Sequence, residues 1–320
     1  MKKIIVLGGT GFVGTHVCEK LVREGWQVTV PTRRRANADA VKHLPGLTVL
    51  ELDAHDEAVL TRAVAGHDAL VNLVAILHGD QAAFEHVHVA LPKKIAHACL
   101  AGGVAQVVHV SALGADSLQP NKSPSMYLRS KGEGEAVLLQ AAVGGGAGAA
   151  SHAGFDLSIL RPSVIFGEGD KFLNLFAKLQ KVFPMMPLAG ASARFQPVWV
   201  QDVANAVMSC LKGVSTHPSP RIIEAVGPDV YTLKELVQLS AQLSGVAGGL
   251  GRPVIALPAW AGRLQAKMMG LAPGEPLMSV DNLDSMKVDN VASGKLPGLA
   301  SLGITASALK PIAQQYLAPK

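Results

Sequence analysis

The 320-residue chain predicts an α/β fold, a doubly wound parallel sheet with helices on both faces. Two observations lead there. Short apolar runs bounded by turn residues recur at Ile4–Leu7, Val28–Val30, Thr48–Leu50, Ala69–Leu73 and Val107–Val110. Between them lie longer stretches of helical period at Phe12–Arg23, Glu57–Val64 and Phe84–Leu100. Strands that are apolar throughout, separated by amphipathic helices, suit a sheet buried on both faces.

The alternation continues with a helix expected over Met126–Ala142 and a strand over Leu157–Leu160. The stretch between them, AAVGGGAGAASHAG, is low in complexity and rich in glycine, so it reads as a loop insertion. After Arg161 the pattern loosens. Strand-like pieces at 193–200 and 221–226 mix with helices near Val203–Leu211 and Thr232–Leu243. The expected organisation is a nucleotide-binding domain over 1–165, with segments near 194–226 returning to it, and a smaller interwoven C-terminal lobe within 166–320.

Composition narrows the function classes. Hydrophobic residues make up 49% of the chain and charged residues 17%, which excludes a disordered protein. The formal charge of +5 is small for this length, aromatics are only 4%, and no zinc-finger spacing or long basic run occurs, so nucleic acid is not an expected partner. Cys18, Cys99 and Cys210 lie far apart within helical patterns, and His86 and His88 are two apart on a helix, so neither disulfides nor a metal site are expected. No signal-type segment precedes the first strand, and no stretch reaches the roughly 18 apolar residues of a membrane span. The expected location is the cytoplasm, with room for peripheral contact at the inner face of the cell membrane.

The turn after the first strand carries the chemistry. Gly8 is followed by Gly9-Thr10-Gly11-Phe12-Val13-Gly14, a G-x-G-x-x-G spacing between a strand and a helix. Glycines there permit a sharp turn and close approach to a pyrophosphate, and the helix N-terminus meets its charge. Gly8, Thr10, Gly11, Phe12, Val13 and Gly14 are therefore expected to hold a dinucleotide in a Rossmann-type fold. The second strand ends before Arg33-Arg34-Arg35. An acid at that tip would favour NAD, whereas Arg33 and Arg34 suit a 2′-phosphate and predict NADP(H). Asp53, after the third strand, is placed either to approach the adenine or to cap the helix that follows. Asn72 either ends its strand as a turn former or faces the nicotinamide side.

Tyr127 and Lys131 stand four apart on the Met126–Ala142 helix and share one face. A phenol can give a proton to a developing alkoxide, and a neighbouring ammonium lowers its pKa and can hydrogen-bond a ribose.

GGTGFVG, YLRSK, ILRPSVIFGEGD (159–170) and VWVQDVANAV (198–207), in this order, resemble the extended short-chain dehydrogenase/reductase superfamily over most of the chain. The arginine-ended second strand, HVSALGAD (109–116), YLRSK and PGEPLMSVDNLDSMKVDNV (273–291) are similar to one atypical branch. That branch is the NADPH-binding accessory subunit of mitochondrial respiratory complex I and its bacterial relatives. The resemblance implies that Tyr127 and Lys131 occupy the catalytic tyrosine and lysine positions and that Pro162 leaves its strand towards the cofactor. It also implies a serine or threonine after the fifth strand, where this chain has Ala112, with Ser111 one residue early and facing the other way. Losing one such donor costs on the order of 10²–10³ in rate in other enzymes. Two functions follow: an NADP(H)-binding protein with a respiratory or quinone-pathway partner and weak or absent catalysis, or an active reductase, epimerase or dehydratase on a carbonyl or nucleotide-sugar substrate. For the first, the stretch PVIALPAWAGRLQAKMMGLAPG (253–274) is expected to contact a partner or a membrane surface, with a helix packed into the small lobe as the competing reading.

Overall fold

The computed structural model describes residues 2–144, 154–270 and 277–319. Its first half alternates strand and helix: β1 (Lys3–Leu7), α1 (Phe12–Arg23), β2 (Gln27–Thr32), β3 (Leu47–Glu51), α2 (Glu57–Val64), β4 (Ala69–Asn72), α3 (Gln81–Glu85), α4 (Leu91–Gly102), β5 (Gln106–Val110), α5 (Met126–Ala142) and β6 (Asp156–Pro162). There follow β7 (Ile165–Phe166), α6 (Leu173–Val182), β8 (Met186–Leu188), β9 (Arg194–Phe195), β10 (Val198–Trp199), α7 (Val200–Leu211), β11 (Arg221–Ala225), β12 (Tyr231–Thr232), α8 (Leu233–Leu243), β13 (Val254–Ala256), α9 (Ala259–Met269), α10 (Val280–Ser285) and α11 (Leu309–Leu317).

Seven strands form the central sheet in the order β11-β6-β5-β4-β1-β2-β3, and every pairing in it is parallel. The order reverses between β1 and β4, and ligands of such sheets bind at the carboxyl ends of the strands at this switch point. The sheet is covered on both sides. One apolar cluster joins β1, β2 and β4 to α1 and α7 through Val17, Leu21, Val203 and Val207, and the other joins α2, α4 and α5 through Leu60, Ile95 and Leu138. A separate cluster gathers Leu173, Leu236, Leu309 and Leu317 from α6, α8 and α11.

Two findings refine the sequence reading. The expected strand over 193–200 is two short strands, because Pro197 breaks it and Val200 already opens α7. The expected helix over Phe84–Leu100 contains a π turn at His86–Ala90. Pro92 has no N–H for the carbonyl four residues back, and that carbonyl, of His88, instead faces α5, where a Cβ on Gly134 would stand 2.0 Å from it. The glycine and alanine insertion lies mostly outside the described residues.

Candidate functional site

The nucleotide cradle is built by close approach. Gly8 has φ +78°, its carbonyl accepts from the Gly11 N–H at 3.1 Å, and a Cβ on Gly14 would stand 2.2 Å from that same oxygen. The turn therefore folds tightly against the start of α1. No side chain caps α1 and its first turn holds no acid, so its amides remain for an anion, beside Thr10, Phe12 and Val13. This cradle fits the pyrophosphate of a dinucleotide.

Arg33 and Arg34 follow β2 and are exposed, and among the described residues their side chains enter no ion pair. Arg35 is committed elsewhere, with its amide donating to Glu51 and its guanidinium reaching the Val49 carbonyl. Asp53 does not cap α2. Its Oδ1 accepts from the His55 N–H at 2.9 Å in a tight turn, and Asp56 is the cap, accepting from Val59. His55 stacks on His86 with ring centroids 3.9 Å apart. Burial, and then the charge of His86, lowers the His55 pKa, with Lys94 and Arg33 contributing further.

Asn72 takes the turn-forming role. Its Oδ1 accepts from the Val74 N–H and its Nδ2 donates to His109 Nδ1 at 3.1 Å, deep in the sheet. Pro162 is buried at the end of β6, and its carbonyl accepts from the Leu113 N–H. Ser111 is buried, and among the described residues its hydroxyl has no partner, beside buried Ala112.

Tyr127 and Lys131 do share a face of α5, but the phenol is not lowered as the spacing suggests. Tyr127 sets its ring against Phe84 and His88, and burial pushes its pKa up to about 12. Lys131 is buried and donates from Nζ to the Val110 carbonyl at 2.9 Å. Burial draws its ammonium down to about 8, against the opposing pull of Glu135.

The structure adds residues that sequence reasoning missed. His88 Nε2 accepts from the Ile76 N–H at 3.1 Å, so Nδ1 carries the proton and donates to Ser130 Oγ at 2.9 Å, and Ser130 in turn donates to the Tyr127 carbonyl. This chain holds the Tyr127 turn against the π segment. Arg161 forks onto Glu135 at 2.9 and 2.5 Å within the interior. Asp281, from the distal segment, accepts from the N–H groups of Met126 and Tyr127 at 2.6 and 3.0 Å. His88 stood out only as one of two histidines in a helical pattern; Asp281 lies in the distal segment that carried the resemblance, which assigned it no role of its own. Among the described residues no cluster of three metal-binding side chains occurs.

A switch point between β1 and β4 and a glycine cradle at an uncapped helix N-terminus are the features of a dinucleotide-binding protein of the Rossmann type. The profile of the NAD dependent epimerase/dehydratase family matches residues 4–225, and the chain belongs to that family. It is 32% identical to the mouse protein "NADH dehydrogenase [ubiquinone] 1 alpha subcomplex subunit 9, mitochondrial" over 95% of this chain and 77% of the mouse protein. It is 26% identical to the 40 kDa subunit of the Neurospora crassa NADH-ubiquinone oxidoreductase over 98% of this chain and 78% of that one. Among solved structures, the dTDP-glucose 4,6-dehydratase of Streptomyces venezuelae, which contains NAD, superposes with a TM-score of 0.66 at 23% identity, over 80% of this chain and 85% of its own.

Proposed function

We propose that this protein binds NADP(H) and works with a respiratory or quinone-pathway partner, its cofactor serving binding and assembly with little or no turnover. One observation carries the reading: buried Ala112 stands where a carbonyl-polarising hydroxyl is expected, and the phenol of half-buried Tyr127 is shifted up, not down. A phenol that far above neutrality exchanges its proton poorly at pH 7.

The nicotinamide dinucleotide supplies hydride chemistry when bound. The chain's own part is to cradle the pyrophosphate between Gly8 and Gly14, to offer Arg33 and Arg34 to a 2′-phosphate, and to present Lys131 to the nicotinamide ribose. Lys131 remains mostly protonated at neutral pH, because burial has lowered it only to about 8.

The partner reading is supported by the named relatives and by α9. Trp260, Leu264 and Met268, one turn apart, are 72%, 54% and 65% exposed, while Gly262 and Ala266 on the opposite side are buried. The helix thus docks through small residues and presents its large apolar ones outward, with Lys267 beside them, an arrangement suited to a partner or an anionic membrane surface. Arg263 is engaged with Asp284 at 2.8 Å. No helix among the described residues is long and apolar enough to cross a membrane. The proposed place of action is the inner face of the cell membrane, reached from the cytoplasm.

A second reading, an active reductase, epimerase or dehydratase, is favoured by Tyr127 and Lys131, which stand four apart on α5. Calorimetric titration with NADPH and NADH, together with turnover assays on quinones, aldehydes and nucleotide-sugars, separates the two. Tight NADPH binding without turnover is expected. Turnover abolished by Tyr127→Phe would promote the second reading.

A further inference from the structure

The segment 279–293 lies across the carboxyl ends of the central strands. Asn282 Nδ2 donates to the Leu77 carbonyl after β4, Asn290 Nδ2 donates to the Leu113 carbonyl after β5, and Ser163 Oγ, after β6, donates to Asn290 Oδ1 at 2.5 Å. Near its beginning, Asp281 is buried against the start of α5.

Helix α5 begins with three amides that need acceptors outside the helix. Of these three amides its own cap, Ser125, meets one, that of Leu128, at 3.1 Å. The amides of Met126 and Tyr127 are met by one carboxylate, which belongs to a residue 155 and 154 positions away. A negative charge at a helix N-terminus is also favoured by the helix dipole. Ser285, one turn further along α10, donates to Ser125 Oγ at 2.8 Å and ties the two helices together.

We propose that Asp281 is a positioning residue for the nucleotide site. It sets the axial position of α5, and with it the place of Lys131, whose Nζ lies 2.9 Å from the carbonyl at the end of β5. The distal segment is then part of the site, although none of its side chains need touch the ligand. The inference rests on the NADP(H) reading above, in which Lys131 meets the ribose.

The test is a double-mutant cycle in NADPH affinity on the full chain: wild type, Asp281→Asn, Lys131→Ala and the double variant, with thermal midpoints measured beside each. An asparagine keeps the size but turns one acceptor into a donor that faces an N–H. Asp281→Asn is expected to weaken NADPH about tenfold when Lys131 is present and by less than about twofold when it is absent, because the lost position matters only through Lys131. A role confined to stability would lower the thermal midpoint in both backgrounds without this dependence. Asp281→Ser, which retains one acceptor, runs through the same cycle should the asparagine variant fail to fold, with a smaller loss expected. Equal losses in both backgrounds, or none, would overturn the proposal alone. A wild type that binds neither NADPH nor NADH would overturn it together with the NADP(H) reading.

Discussion

Arg161 on β6 and Glu135 on α5 form a two-pronged ion pair inside the protein, with Glu135 fully buried. The pair joins the helix that carries Tyr127 and Lys131 to the strand that ends at Pro162, so it fixes the helix laterally while Asp281 fixes its end. Removing one partner leaves the other charge buried without compensation, at a cost of about 3–5 kcal/mol. Glu135→Ala and Arg161→Ala are each expected to lose that much in urea unfolding. The combination Glu135→Leu/Arg161→Met is expected to recover most of it, and failure to recover would show that the pair acts through more than its own charges.

Acid should destabilise the protein before its carboxylates titrate. His88 is held down to about 3, first by burial and then by the Lys131 charge, and His109 is held well below its ordinary value for the same reasons. Both are depressed from an unfolded value near 6.5, so the unfolded chain takes up protons first as pH falls. Their contribution is complete above about pH 6.5 and is lost on the way down to about pH 3 for His88. Each site is worth about 1.4 kcal/mol per pH unit in that window, or about 2 kcal/mol between pH 7 and pH 5. Denaturant unfolding at the two pH values checks this, and His88→Gln should reduce the difference, leaving the share of His109 and of the lowered His16 and His55.

The arginines after β2 should decide between nucleotides. A charge-assisted hydrogen bond contributes about 1.5–3 kcal/mol, so NADPH is expected to bind roughly tenfold or more tightly than NADH. Arg33→Ala/Arg34→Ala should bring the two affinities together by weakening NADPH alone. An unchanged preference would assign the arginines to a solvated turn.

Catalytic competence should be recoverable in part. Ala112→Ser restores a hydroxyl at the expected place, and its turnover of an accepted carbonyl substrate is expected to exceed the wild type by on the order of 10²-fold. Tyr127→Phe in that background should remove the gain while leaving NADPH affinity within about twofold, since the phenol acts on a substrate. A gain that survives Tyr127→Phe would place the proton donor elsewhere.

The outward face of α9 should govern attachment. Trp260→Ser/Leu264→Ser leaves the buried Gly262 and Ala266 contacts and the Arg263–Asp284 pair in place. In fractionation of gently lysed cells, the wild type is expected with membranes and this variant in the supernatant. Identical distributions would mean that α9 merely borders the fold.

The local rules of the chain determined the sheet, the glycine cradle and the pairing of Tyr127 with Lys131 on one helix face. Apolar runs, glycines at a strand-to-helix turn and a four-residue spacing express backbone sterics and helix period, which act over a few residues. The arginines at the tip of β2 were legible for the same reason. Tertiary structure alone decided the state of those groups. Burial raises the Tyr127 phenol, which lies edge to face with Phe84 and His88, and Asp56 rather than Asp53 caps α2 while Asp53 accepts from His55 in its own turn. Asn72 turns inward to His109, and Asp281 meets α5 across half the chain. Burial and long-range hydrogen bonds depend on which segments pack together, a property that no window of sequence contains.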